Sequence, residues 1–69
     1  MEYAIVIAKS DTGYGAYVPD LPGCIAVGET IEETESRIRE AVELHLAGMR
    51  ADGARIPEPT SRAEYVEVA

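Results

Sequence analysis

Sixty-nine residues, with 13 Asp plus Glu against 6 Lys plus Arg for a formal net charge of −7, leave room for one domain spanning 1–69 and argue against a nucleic acid partner, because phosphate backbones select basic surfaces. The single cysteine, Cys24, excludes an intramolecular disulfide, and no Cys/His spacing points to a metal or any other cofactor. No run approaches the roughly 20 apolar residues of a membrane span, and the N-terminal MEYAIVIAK lacks the basic region of a secretory leader. A cytoplasmic chain away from the membrane is therefore expected.

A chain this short buries only about 60% of the surface its unfolded form exposes. Self-association into a homo-oligomer, or burial against another protein, is the expected source of further stability. Two readings of the charge stand side by side: attraction to a basic protein partner, and solubility alone.

In chain order, Tyr3–Ala8 (YAIVIA) is a β-branched run with apolar residues at odd and even positions, as in a strand covered on both faces. Asp11 and Gly13 fit a tight hairpin, and Tyr14–Val18 returns as a second strand with Gly15 as a bulge or a point of close approach. Pro19, Asp20, Pro22 and Gly23 force a turn into a third strand, Cys24–Gly28. Thr30 and Glu33 have the spacing of a capping box, so the long helix begins at Ile31, with the Glu33 carboxylate expected back on the Thr30 N–H. Ile31, Thr34, Ile38, Ala41, Val42, His45 and Met49 fall on one stripe, and the opposite face is mostly glutamate and arginine. Glu33 with Arg37 and Glu35 with Arg39 are i,i+4 pairs. Gly53 suits the position just past a helix that stops near Arg50 to Asp52. Beyond it, Pro57 and Pro59 impose an extended loop, and the alternating Glu64–Val68 reads as a fourth strand.

These elements predict an α+β domain of order β-β-β-α-β. A right-handed crossover would set the fourth strand beside the first, in a four-stranded sheet of spatial order 3-2-1-4. One helix covers one face. The other face carries either Tyr3, Ile5 and Ile7 or Ala4, Val6 and Ala8 from the first strand, and an uncovered apolar face marks an interaction site.

Three segments together resemble the HicB family of antitoxins, in particular its N-terminal domain: YVPDLPGC at Tyr17–Cys24, GET at Gly28–Thr30, and IPEP at Ile56–Pro59. The likeness covers nearly the whole chain. It implies a partial ribonuclease H-like fold and a role in type II toxin–antitoxin systems, in which a HicB domain masks HicA, a small basic ribonuclease. Tyr17, Asp20, Leu21 and Glu29, drawn from the resembling motifs, are the residues expected to meet such a partner. The C-terminal DNA-binding domain usual in the family has no counterpart within residues 1–69, so operator binding is not expected of this chain alone. Two readings remain: a toxin-neutralising antitoxin, and an orphan of the family that self-associates in a structural or ligand-binding role without a toxin.

Catalysis is not expected. His45 falls on the apolar stripe without a nucleophile pattern beside it, and reads as a packed core histidine. Cys24 has no basic neighbour in sequence to activate it and reads as a small buried thiol. Asp11, Asp20 and Glu29 lie in turns or at element ends, and the first strand lacks the inward acid that a two-metal nuclease of ribonuclease H type requires. Tyr3, Tyr14, Tyr17 and Tyr65 fit core edges or a protein interface better than base stacking.

Overall fold

A computed structural model describes residues Met1–Ala69, and its elements follow one another through short connections. Strand β1 (Val6–Ser10) pairs antiparallel with β2 (Gly13–Tyr17), with Ser10 opposite Gly13, so Asp11 and Thr12 alone make the hairpin turn. Strand β3 (Ile25–Gly28) pairs antiparallel with the other edge of β2, with Tyr17 opposite Ile25 and Tyr14 opposite Gly28. The sheet is a three-stranded meander of order β1-β2-β3. β1 starts and ends later than the sequence suggests. Ladder pairing runs right up to the two-residue turn, while at the far end the Val18 N–H donates to the Cys24 carbonyl and leaves Ile5 no partner on β2. The continuous register also shows that Gly15 is an ordinary ladder residue and not a bulge.

Helix α1 (Ile31–Ala51) lies across one face, chiefly over β3 and β2. At its start the Glu33 N–H donates to the Thr30 hydroxyl at 3.0 Å, as the capping pattern predicts. The reciprocal bond differs: the Glu33 carboxylate accepts from the Glu29 N–H, one residue earlier than expected, and also holds Arg37 at 3.2 Å. The second expected pair, Glu35 with Arg39, closes at 3.1 Å. At the far end Gly53 takes φ +70°, and the Ala54 and Gly53 N–H groups donate to the Met49 and Arg50 carbonyls. That is a Schellman motif, which satisfies carbonyls the helix itself leaves free.

The core is small: Ala16, Val18, Leu21, Cys24, Ile38 and Leu46. Thr34 is the one buried polar side chain, and its hydroxyl donates back to the Thr30 carbonyl at 2.7 Å. It sits directly over Gly28, where any Cβ would overlap the Thr34 hydroxyl; helix and strand approach this closely only because Gly28 lacks one. The stripe is otherwise as expected at Thr34, Ile38, Ala41, Val42, His45 and Met49, with Leu46 added and Ile31 about half exposed.

The predicted fourth strand at Glu64–Val68 does not form, and the four-stranded order 3-2-1-4 is corrected to three strands. Tyr65, Val66 and Val68 are 97%, 83% and 83% exposed. Strand propensity acts only where an edge is available. Here the chain leaving the helix is drawn across the end of the sheet instead of along the free side of β1, by bonds described next.

Candidate interaction surface

The segment Val18–Cys24 consists of two β-turns in series. The Leu21 N–H donates to the Val18 carbonyl at 3.1 Å, and the Cys24 N–H donates to the Leu21 carbonyl at 3.0 Å. Pro19 and Pro22 each occupy the second position of a turn, where their fixed φ suits it, and Gly23 at φ +85° meets the left-handed requirement of the third position in the second turn. Every third residue points inward: Val18, Leu21 and Cys24 are all buried. Burial pushes the Cys24 thiol up from its ordinary pKa, so it stays protonated and unreactive. Leu21 has no exposed surface at all and anchors the turn from within.

Asp20, at the tip between the two prolines, points at the C-terminal segment. Its carboxylate accepts from the Ser61 N–H at 2.9 Å, the Ser61 hydroxyl at 2.8 Å and the Thr60 hydroxyl at 3.1 Å. The Ser61 N–H and then the Ser61 hydroxyl hold its pKa below the ordinary carboxylate value. Upstream, Ile56 packs against the core and the Tyr3 hydroxyl donates to the Pro57 carbonyl. The YVPDLPGC and IPEPTS segments, some 40 positions apart, are thus two halves of one clasp. The sequence carries its ingredients, an acid in a turn and a Thr-Ser pair, but nothing in either segment states that they meet.

Facing away from the helix, Val6, Ala8, Tyr17, Gly15, Ile25 and Val27 share the outer face of the sheet, as the register dictates. Ile25 and Val27 are about two-thirds exposed and Tyr17 half exposed. Of the two possible sets on β1, the even-numbered one faces outward, while Tyr3, Ile5 and Ile7 pack toward the core. Tyr17 therefore lies on an open apolar face. Glu29 is exposed at the opposite end of the sheet from Asp20, near the Asp11–Thr12 turn. Sequence reasoning missed Ile25 and Val27, although their alternation with Ala26 and Gly28 was a readable signal.

No group of three or more His, Cys, Asp or Glu side chains is placed to hold a metal ion. Asp11, Asp20 and Glu29 are not brought together, and the Asp20 carboxylate is engaged with Thr60 and Ser61. His45 is half-buried on the helix stripe. No helix is long and apolar enough to cross a membrane.

A family model for the HicB-like antitoxin of bacterial toxin–antitoxin systems matches residues 3–68. The chain belongs to the HicB-like antitoxin family. Among relatives of this HicB-like chain, a 14.9 kDa protein encoded in the rep–hol intergenic region of Haemophilus phage HP1 is 36% identical over 66 residues, covering 96% of this chain and 50% of the phage protein. A UPF0150 protein of Helicobacter pylori is 47% identical over 47 residues, covering 68% and 65% of the two chains. A UPF0150 protein of Thermoplasma acidophilum is 34% identical over 69 residues, covering 99% and 97%. The chain thus spans half the length of the phage relative and just under two thirds of the Helicobacter one. Among solved structures, a chain of the HicA3 and HicB3 toxin–antitoxin complex superposes with a TM-score of 0.74 at 30% identity, covering 87% of this HicB-like chain and 70% of the other. The α+β arrangement of three antiparallel strands and one helix is therefore shared with a toxin–antitoxin complex.

Proposed function

We propose that this chain is an antitoxin domain that binds and masks a basic, HicA-type ribonuclease, with no chemistry of its own. The observation that carries the reading is the likeness to a chain of the HicA3–HicB3 complex, together with the family match over residues 3–68. The net charge of −7 complements a basic toxin and would steer its approach. The outer sheet face supplies what charge does not: Tyr17, Ile25 and Val27 offer exposed apolar area for a desolvated centre. Asp20 and Glu29, at opposite ends of that face, are proposed as its acidic rim. The β-β-β-α order also supports placing the unit with partial ribonuclease H-like folds. Such binding takes place in the cytoplasm, without nucleic acid contact by this chain.

The test is direct. A small basic reading frame beside the gene is co-expressed with this chain. Co-purification and rescue of growth support the reading, and loss of both with Ile25→Lys, in a protein that still folds, places the contact on the outer face. A purified pair that neither associates nor blocks RNA cleavage overturns it in favour of the orphan, self-associating domain, a reading motivated by the same open face.

A further inference from the structure

Two features of the molecule are each half of a contact. The first is the tail. Arg62–Ala69 is exposed throughout and makes no backbone hydrogen bond, yet Glu64–Val68 alternates as a strand does, with Val66 and Val68 on one side and Tyr65 on the other. The second is the open flank of β1. That strand pairs only with β2, leaving a row of backbone groups free on its other side. Beside it a groove of about 520 Å³ opens between Tyr3 and Ile5 on one wall and Val42 and Leu46 on the other, with Arg39 and Glu43 along its rim. The opposite edge of the sheet is less open, since the helix lies over β3 and the Arg37 guanidinium occupies the Val27 carbonyl at 2.9 Å.

We propose that the tail of one copy adds as a strand to the free edge of β1 in a second copy, and receives that copy's tail in return. Val66 and Val68 enter the groove against Tyr3, Ile5, Val42 and Leu46, and Tyr65 lies on the outer face beside Val6. Main-chain bonds to β1 supply the affinity and the alternating side chains the register. The contact is isologous, so it closes at two copies.

A second copy is favoured over the chain's own β1 by the path of the backbone. Pro57 is held at Tyr3, in line with β1, and Ser61 is held at Asp20, beyond the end of β2. Between those points the chain moves away from the β1 edge, and the tail would have to reverse within Arg62 and Ala63 to return. Surface area argues the same way. The chain exposes 5470 Å², whereas a folded monomer of 7.4 kDa exposes about 4,200 Å². Its radius of gyration is 13.3 Å against about 11 Å for a compact domain of this length. The surplus of roughly 1,300 Å² exceeds the ~800 Å² per partner that a stable interface covers. The inference does not depend on the toxin reading.

Light scattering on the intact chain tests it, with Tyr65→Pro and Val66→Pro made separately. Successive N–H groups of a strand point to opposite sides, so at least one of the two prolines must remove a pairing donor. The expected result is a mass twice the 7.4 kDa of one chain, halved by at least one proline with the helical circular dichroism unchanged, since neither residue belongs to the core. A monomeric intact chain overturns the proposal, whether its tail is free or folded on its own β1. A dimer that survives both prolines but dissociates with Ile25→Lys also overturns it, and assigns the contact to the outer face.

Discussion

The double turn at Val18–Cys24 and the tail at Arg62–Ala69 are similar in length and both lie outside regular structure, yet they stand at opposite ends of the stability scale. In the turn, two prolines and a glycine fix the backbone locally, and three inward side chains fasten it to the core. The tail has comparable apolar content in Tyr65, Val66 and Val68, but nothing local fixes its path and nothing in the same chain covers it. Irregular backbone is rigid when its dihedral preferences and its burial agree, and open when burial must come from elsewhere.

The largest change expected is at Leu21→Ala. Removing a fully buried side chain from the turn should cost about 2–5 kcal/mol in chemical denaturation, with Ile38→Ala in the same range. A loss below about 1 kcal/mol would show that the turn collapses around the gap and is softer than its buried triad implies. Gly28→Ala comes next. A Cβ there overlaps Thr34, so helix and β3 must separate, at about 1–3 kcal/mol. Thr30→Ala removes the cap of the Glu33 N–H and should lower stability by about 0.5–2 kcal/mol; an unchanged midpoint would mean that water serves the freed N–H as well as the hydroxyl did.

The clasp between the two regions is the place to convert one into the other. The folded-state pKa of Asp20 lies below its unfolded value, so the stabilisation is fully present above the unfolded carboxylate pKa and is lost as pH falls through the folded one. Acidification below the ordinary carboxylate range should free Thr60 and Ser61 from the turn before the core melts, seen as loss of protection of the Ser61 amide in hydrogen exchange. Asp20→Asn should give the same release at neutral pH. The smallest effect belongs to the tail itself. The Arg62–Glu64 ion pair, 2.9 Å long, is solvent-exposed, and Glu64→Gln should shift stability by less than about 0.5 kcal/mol.

What could be read without the structure was whatever local chemistry decides. The Thr30 cap, the Gly53 terminus, the two i,i+4 pairs, the meander order and the placement of β2 and β3 follow from residues within a few positions of one another. The fourth strand was misread for a different reason. Alternation at Glu64–Val68 is a real strand preference, but whether it finds an edge depends on where Asp20 holds Ser61, 41 positions away. The burial of Leu21 was not legible either, because only the pairing of two turns makes every third residue from Val18 to Cys24 point inward. The alternation of Ile25 and Val27 is readable in the sequence, but that they share one outer face with Tyr17 is set by the register of β2 with β3.

The Tyr3–Pro57 and Asp20–Ser61 bonds carry a kinetic consequence. Every other connection is short: two residues between β1 and β2, seven between β2 and β3, and two before the helix. Such a chain assembles from neighbours in sequence and folds quickly, whereas the two clasp bonds close loops of 54 and 41 positions at a higher entropic cost. The clasp should therefore form last on folding and break first on unfolding. In native-state exchange, the Ser61 amide should open far more often than that of Ile38, so the segment that sets the course of the tail is the least durable contact in the molecule.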